Sequence, residues 1–191
     1  MRGPLEDRLV TINRVNSSLT YPCNFMLIAS MNPCACGYYG SKEKECTCSP
    51  ESIARYMGKI SGPLLDRIDI HIEVAPVKYS KLQSENNEES SEKIKQRVNF
   101  ARKIQRERYK EYGLFSNAEL TPKLMEKYCK LDSNGQAILK NAFEKLGLSA
   151  RAYGRILKVA RTIADLENSE NIKTNHIAEA IRYRSLDRKY F

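Results

Sequence analysis
The sequence predicts an α/β chain, rich in strands over residues 1–79 and all-helical from the nineties onward. Three observations carry this. β-branched residues alternate at Leu9–Ile12, an apolar run extends from Phe25 to Met31, and apolar residues recur at helical spacing beyond Ser91.

In chain order, Leu9–Ile12 reads as a strand and Asn16–Ser18 as a polar turn. Phe25–Met31 reads as a strand buried on both faces, because nothing polar but Ser30 interrupts it. "GPLLDRIDIHIEV" opens on a short helical turn. It then alternates Ile68, Ile70, Ile72 and Val74 with Asp69, His71 and Glu73, the pattern of an edge or half-exposed strand. Residues 80–93 are polar and acidic and suit a linker. Ser91 then caps a helix whose apolar side holds Ile94, Val98, Ala101 and Ile104. Thr121-Pro122 is an N-cap with proline at the first helical position. The next helix carries Ile138, Leu139, Ala142, Phe143 and Leu146 and stops at Gly147. Ser149 opens another, with Ala152, Ile156, Val159, Ile163 and Leu166 spaced four, three, four and three apart. Thr174 caps the last, bearing Ile177 and Ile181. The expected domains are 1–79, a linker and basic helix at 80–120, and a helical bundle at 121–191.

The chain carries a formal net charge of +9, which favours an anionic partner such as nucleic acid, nucleotide or an acidic protein surface. No apolar run is long enough to span a bilayer, and the start lacks a signal-peptide core, so a reducing, cytoplasmic setting is expected. Six cysteines in that setting read as thiols or metal ligands before disulfides. Four of them form the pairs Cys34-x-Cys36 and Cys46-x-Cys48, a set that closes a tetrahedral zinc site once Pro33, Gly37, Gly40 and Pro50 fold the loop back. Unligated thiols or a pair of disulfides are the alternatives. Cys23 and Cys129 have no such neighbours and read as small core residues.

Asn32, at the carboxyl end of the apolar run, offers an amide to a water or a phosphate oxygen, or is simply a turn residue before Pro33. Arg151 falls in the first turn of its helix, where the macrodipole disfavours a cation unless an anion binds there. Arg67 lies on a turn among Leu64, Leu65 and Ile68, with a nearby acid as the ordinary partner to expect. Between Glu92 and Tyr112 stand eight Lys or Arg against three acids, either a solvated face or a phosphate-contacting one. His71 and His176 stand apart from the cysteines and read as surface or interface residues.

"NFMLIASMNPCACGYYG", "ISGPLLDRIDIHIEV" and "LSARAYGRILKVARTIADLENSENIKTNHIAEAIRYRSLDR" together resemble the C-terminal part of magnesium-chelatase-like AAA+ ATPases of the competence type. The resemblance implies a partial AAA+ core, consisting of a hairpin and the last core strands, followed by an all-α lid. It implies that Asn32 acts as sensor 1, Arg67 as an arginine finger with Asp66 beside it at a subunit boundary, and Arg151 as sensor 2 on the lid. The Walker A and Walker B segments belong upstream, and no G-x-x-x-x-G-K-[ST] occurs here, so this chain alone is expected to be inactive. Met1 falls inside a family segment, so the natural chain is expected to start earlier. In the longer protein the resemblance implies ATP and Mg as cofactors, a homo-oligomeric ring, expected to be a hexamer, and DNA as partner for branch migration in recombination. A magnesium chelatase motor subunit and a zinc-stabilised nucleic-acid-binding or interaction module are the alternatives.

Overall fold
The computed structural model describes residues 2–75, 77 and 89–184. The chain separates into two compact units, one ending at Ile68 and the other beginning at Asp69. Most of the expected linker, residues 80–88, lies outside the described residues.

The first unit opens with a short helix, α1 (Arg2–Asp7), that turns into the hairpin β1 (Leu9–Arg14) and β2 (Ser17–Pro22). The strands are antiparallel, in register from Leu9 opposite Pro22 to Arg14 opposite Ser17, with Val15 and Asn16 in the turn. Thr11 and Thr20 hydroxyls meet across the ladder at 3.0 Å, and Ser18 donates to Asn13 Oδ1 at 2.7 Å. Leu9, Ile12, Leu19 and Tyr21 stay about half exposed. Two strands alone bury too little to be stable in isolation. Beyond the cysteine loop come α2 (Pro50–Met57), capped by Ser49, and the single turn α3 (Gly62–Leu65).

Two expected strands do not form. Phe25–Met31 and Ile68–Val74 carry no regular structure, and among the described residues the hairpin is the only sheet. A strand needs a neighbouring strand to satisfy its amides and carbonyls, and among the described residues neither run pairs with one. Met26, Ile28 and Val74 are each more than four-fifths exposed.

The second unit is a helical bundle of α4 (Ser91–Tyr109), α5 (Pro122–Tyr128), α6 (Ser133–Leu146), α7 (Ala150–Leu166) and α8 (Thr174–Arg182). Thr121, Asp132 and Ser149 cap α5, α6 and α7 through side-chain oxygens, and Gly147 ends α6 at φ 60°. Ser90, not Ser91, caps α4, and Lys173, not Thr174, is the N-cap of α8. Leu139, Ile156, Leu157, Ile163 and Ile177 make the core with Tyr109, whose ring meets Tyr128 edge-on at 5.2 Å. Ala152, Ala160 and Ala164 leave room on α7 for its neighbours. Cys129 is in this core, and burial pushes its thiol up to about 11. Cys23 is only half-buried, its N–H donating to Arg8 O at 2.7 Å.

Both histidines are buried, contrary to the sequence expectation. His176 is an inward N3 residue of α8. Its Nδ1 accepts from Lys173 N at 3.0 Å and its Nε2 lies 2.8 Å from Glu167 Oε2, a hydrogen bond that holds Glu167 below the usual carboxylate range. His71 donates its N–H to Tyr183 O at 2.7 Å, which carries the 69–74 segment onto the end of α8.

A polar cluster crosses the bundle. Asp165 on α7 is 1% exposed and accepts from Arg108 at 2.6 and 3.0 Å, from Arg161 Nε at 3.2 Å and from Asn117 Nδ2 at 2.8 Å. Tyr109 OH donates to Asn117 Oδ1 at 2.7 Å, and Arg161 also donates to Ser169 O and Glu170 O at 2.6 and 2.7 Å. Although burial opposes its charge, the Asp165 carboxylate keeps Arg108 raised above its ordinary value. Replacing Asp165 by Ala would strand two guanidinium groups in a closed site. Such losses cost about 3–5 kcal/mol, so urea denaturation of Asp165→Ala should show a loss of that size, and a loss under 1 kcal/mol would mean that the cluster is not structural.

Candidate functional site
The cysteine loop folds as its turn residues require. Gly37 and Gly40 take φ of 84° and 78°, a region costly for residues with a Cβ. Gly37 N donates to Cys34 O at 3.1 Å and Ser41 N to Tyr38 O at 2.9 Å, closing two turns that reverse the chain. The reversal brings Cys34, Cys36, Cys46 and Cys48 together, their sulfurs all within 4.8 Å of one another. Sγ separations are 3.3 Å for Cys34–Cys36, 3.5 Å for Cys36–Cys46 and 3.7 Å for Cys34–Cys46. These exceed a disulfide bond of about 2.05 Å, and all six cysteines are free. They approach the edge of about 3.8 Å for a tetrahedron with metal–sulfur bonds of about 2.3 Å. Among the described residues this is the one such group of ligating side chains.

The chemistry of the donors also suits a metal. The Tyr38 amide first, and the Cys34 thiol second, hold Cys36 down at about 5, so its thiolate is ready at neutral pH. Cys34, fully buried, also lies below the ordinary thiol value. Its burial opposes this, and the Tyr39 amide, donating to Cys34 Sγ at 3.4 Å, helps to override it. Cys46 is pushed up to about 12: the Cys48 amide favours its thiolate, but burial and the facing Cys36 and Cys34 sulfurs outweigh that. Thiols crowded this closely cannot all ionise until a cation sits among them. Sulfur donors select a soft or borderline ion.

Asn32 is exposed two residues before the first ligand, so any ion held by the loop restrains its backbone. Asp66 is the C-cap of α3. Arg67, next in sequence, is 11% exposed, donates to Pro63 O at 2.6 Å and forms a close ion pair with Glu6 of α1. Its Nε is buried and has no hydrogen-bond partner. The pairing with a nearby acid that the sequence allowed is thus present, and its identity was hidden because Glu6 is sixty-one residues away. Arg151 is exposed in the first turn of α7, in the second unit. Two further contacts carried no sequence signal: Arg155 of α7 reaches Asp69 at 2.5 Å, and Lys158 donates to Ala118 O at 3.0 Å.

Among the described residues no helix is long and apolar enough to cross a membrane. The model of the family "Magnesium chelatase, subunit ChlI" matches residues 1–82, and that of "Magnesium chelatase, subunit ChlI C-terminal" matches residues 88–184. The chain is 41% identical to "Competence protein ComM" of Haemophilus influenzae over 189 residues, 98% of this chain and 36% of that protein. It is 40% identical to "Uncharacterized protein YifB" of Escherichia coli over 190 residues, again 98% of this chain and 36% of the relative. It therefore spans about a third of the length of the curated relatives that it matches. The two family matches together run over the hairpin, the cysteine loop, the Asp66–Arg67 turn and the whole described bundle, and so the chain belongs to the magnesium-chelatase-like family, of the type that includes competence protein ComM.

Proposed function
We propose that this chain is part of a ring-forming AAA+ motor that remodels DNA by ATP-driven branch migration in recombination and natural transformation, with ATP and Mg bound by the longer protein. The observation that carries the reading is the 41% identity to a competence protein along 98% of the chain. In this reading Asn32 positions the attacking water and Arg151 grips phosphate on the lid. Arg67 reaches the neighbouring subunit's nucleotide, with Asp66 beside it at the boundary. The unpartnered Nε of Arg67 supports a further acceptor for that guanidinium, since a buried N–H without one is costly. To act on a neighbour, Arg67 would exchange Glu6 for phosphate oxygens, a change of one anionic partner for another. The family matches also favour a second reading, a magnesium chelatase motor subunit. The four-cysteine loop argues for the competence type. We assign a structural zinc to Cys34, Cys36, Cys46 and Cys48, whose role is to hold a loop with few apolar side chains of its own.

Protein purified without added metal should contain about one zinc per chain by elemental analysis, and Cys34→Ser should lose it. Because zinc is held by thiolates, retention should hold at neutral pH and fail on acidification, as protons compete with the metal for the four sulfurs. A content well below half an equivalent would overturn the assignment.

ATPase assays test the motor. The 191-residue chain should show no turnover above a buffer control. In the longer protein Arg67→Ala should abolish turnover, a loss of roughly 10³-fold or more, while leaving nucleotide affinity nearly intact. Arg151→Ala should weaken binding as well. Mixing Arg67→Ala subunits with subunits lacking the Walker A lysine should restore some hydrolysis, because one interface then pairs an intact finger with an intact pocket. Mixtures that assemble yet stay as inactive as both parents would rule out action across the interface.

A further inference from the structure
The helix α4 separates its residues by function around its axis. At 100° per residue, Lys95, Asn99, Arg102, Lys103, Arg106 and Lys110 just past its end share an arc of about 100°. All six are exposed. No acid falls on that arc between Lys95 and Lys110. Among the described residues none of the five cations makes an ion pair, whereas Arg97 is paired with Glu89 at 2.6 Å and Arg108 is turned inward to Asp165. The adjoining side of α4 is committed to the bundle through Ala101, Gln105 and Tyr109, so the helix cannot roll to hide its charged face.

From this arrangement we propose that the Lys95–Lys110 face of α4 binds the sugar–phosphate backbone of DNA independently of sequence. The row is about 22 Å long at 1.5 Å per residue, enough to lie along several phosphates. Apart from Asn99, the arc is entirely cationic. A protein partner would be expected to meet an apolar or aromatic centre inside a polar rim, and none lies on this arc. A membrane-surface helix inserts an apolar face, and the inward face of α4 is packed in the bundle from Ala101 onward. A regular polyanion is the partner that an uninterrupted row of cations neutralises best. The proposal deepens the DNA-remodelling reading and rests on it only in the choice of DNA as the nucleic acid.

The test uses the 191-residue chain and a fluorescein-labelled 30-base-pair DNA duplex, read by anisotropy without nucleotide. If about four phosphates are neutralised, affinity should fall about 150-fold between 50 and 200 mM salt. The triple variant Lys95→Glu, Arg102→Glu, Arg106→Glu should weaken binding at least tenfold at 50 mM salt and flatten the salt dependence by about three phosphates' worth. A charge-matched control, Lys123→Glu, Lys140→Glu, Lys145→Glu, changes exposed lysines on α5 and α6 and should cost less than threefold. Circular dichroism checks folding, and if the glutamate triple unfolds, the glutamine triple at the same positions decides, with a smaller loss in the same direction. Equal losses in test and control would overturn the proposal, because net charge alone would then explain binding. Unchanged binding in the stripe variant would overturn it too, as would binding to RNA duplex or to vesicles of 30% phosphatidylserine without binding to DNA. The assay contains no ATP, so its failure leaves the motor reading standing, and failure of the subunit-mixing experiment leaves this surface standing.

Discussion
The bundle is organised around one buried carboxylate. Asp165, closed off from water, is held by two guanidinium groups and an amide that come from α4, from its own helix and from the Asn117–Glu119 turn. A buried charge is tolerated only when its partners are close and well aligned. That requirement fixes more than one pair, since Arg108 must face inward for the pair to form. With Arg108 and Tyr109 facing inward, Lys103 and Arg106 of the same helix, and Lys110 just past its end, are left facing water. Arg161 uses its remaining donors on the carbonyls of Ser169 and Glu170, which ties the turn after α7 to the same centre. The consequence is a rigid connection from the basic helix to the helix that carries Arg151.

The first unit depends on a different device. It has a two-stranded hairpin, three short helices and a polar loop, and among its described residues the buried apolar side chains are few: Cys34, Met57 and Leu65. Four sulfurs drawn together by two left-handed glycines and a pair of tight turns would, with an ion among them, supply a local tie where hydrophobic burial does not. The same loop begins two residues after Asn32. A tie of that kind positions neighbouring backbone as firmly as a core would, because it constrains the chain on both sides of the ligands.

The segments that departed from expectation are the two apolar runs. Phe25–Met31 and Ile68–Val74 have the composition of strands, yet they lie open among the described residues. Strand propensity expresses a fit to a pleated surface with neighbours and carries little weight without them. The pairing partner of a strand lies elsewhere in the chain, so periodicity cannot report whether it is present. Val10 opposite Tyr21 shows the contrary case, because its partner is supplied within a hairpin of fourteen residues.

What the sequence determined by itself is what local chemistry decides. Thr121 and Ser149 cap helices because a side-chain oxygen meets an amide three residues on. Gly147 stops α6 because its backbone turns left-handed. The two Cys-x-Cys pairs point to a group able to hold a metal because the glycines between them, Gly37 and Gly40, let the loop turn back on itself. The resemblance to the magnesium-chelatase-like family was likewise legible, since it rests on residue order alone. Tertiary structure decided which acid holds Arg67, that His71 and His176 are buried, and that Arg108, out of eight cations in one run, belongs to the core. Each of these turns on a contact between residues distant in sequence or on solvent exclusion by several helices at once, and neither leaves a period or a spacing in the chain.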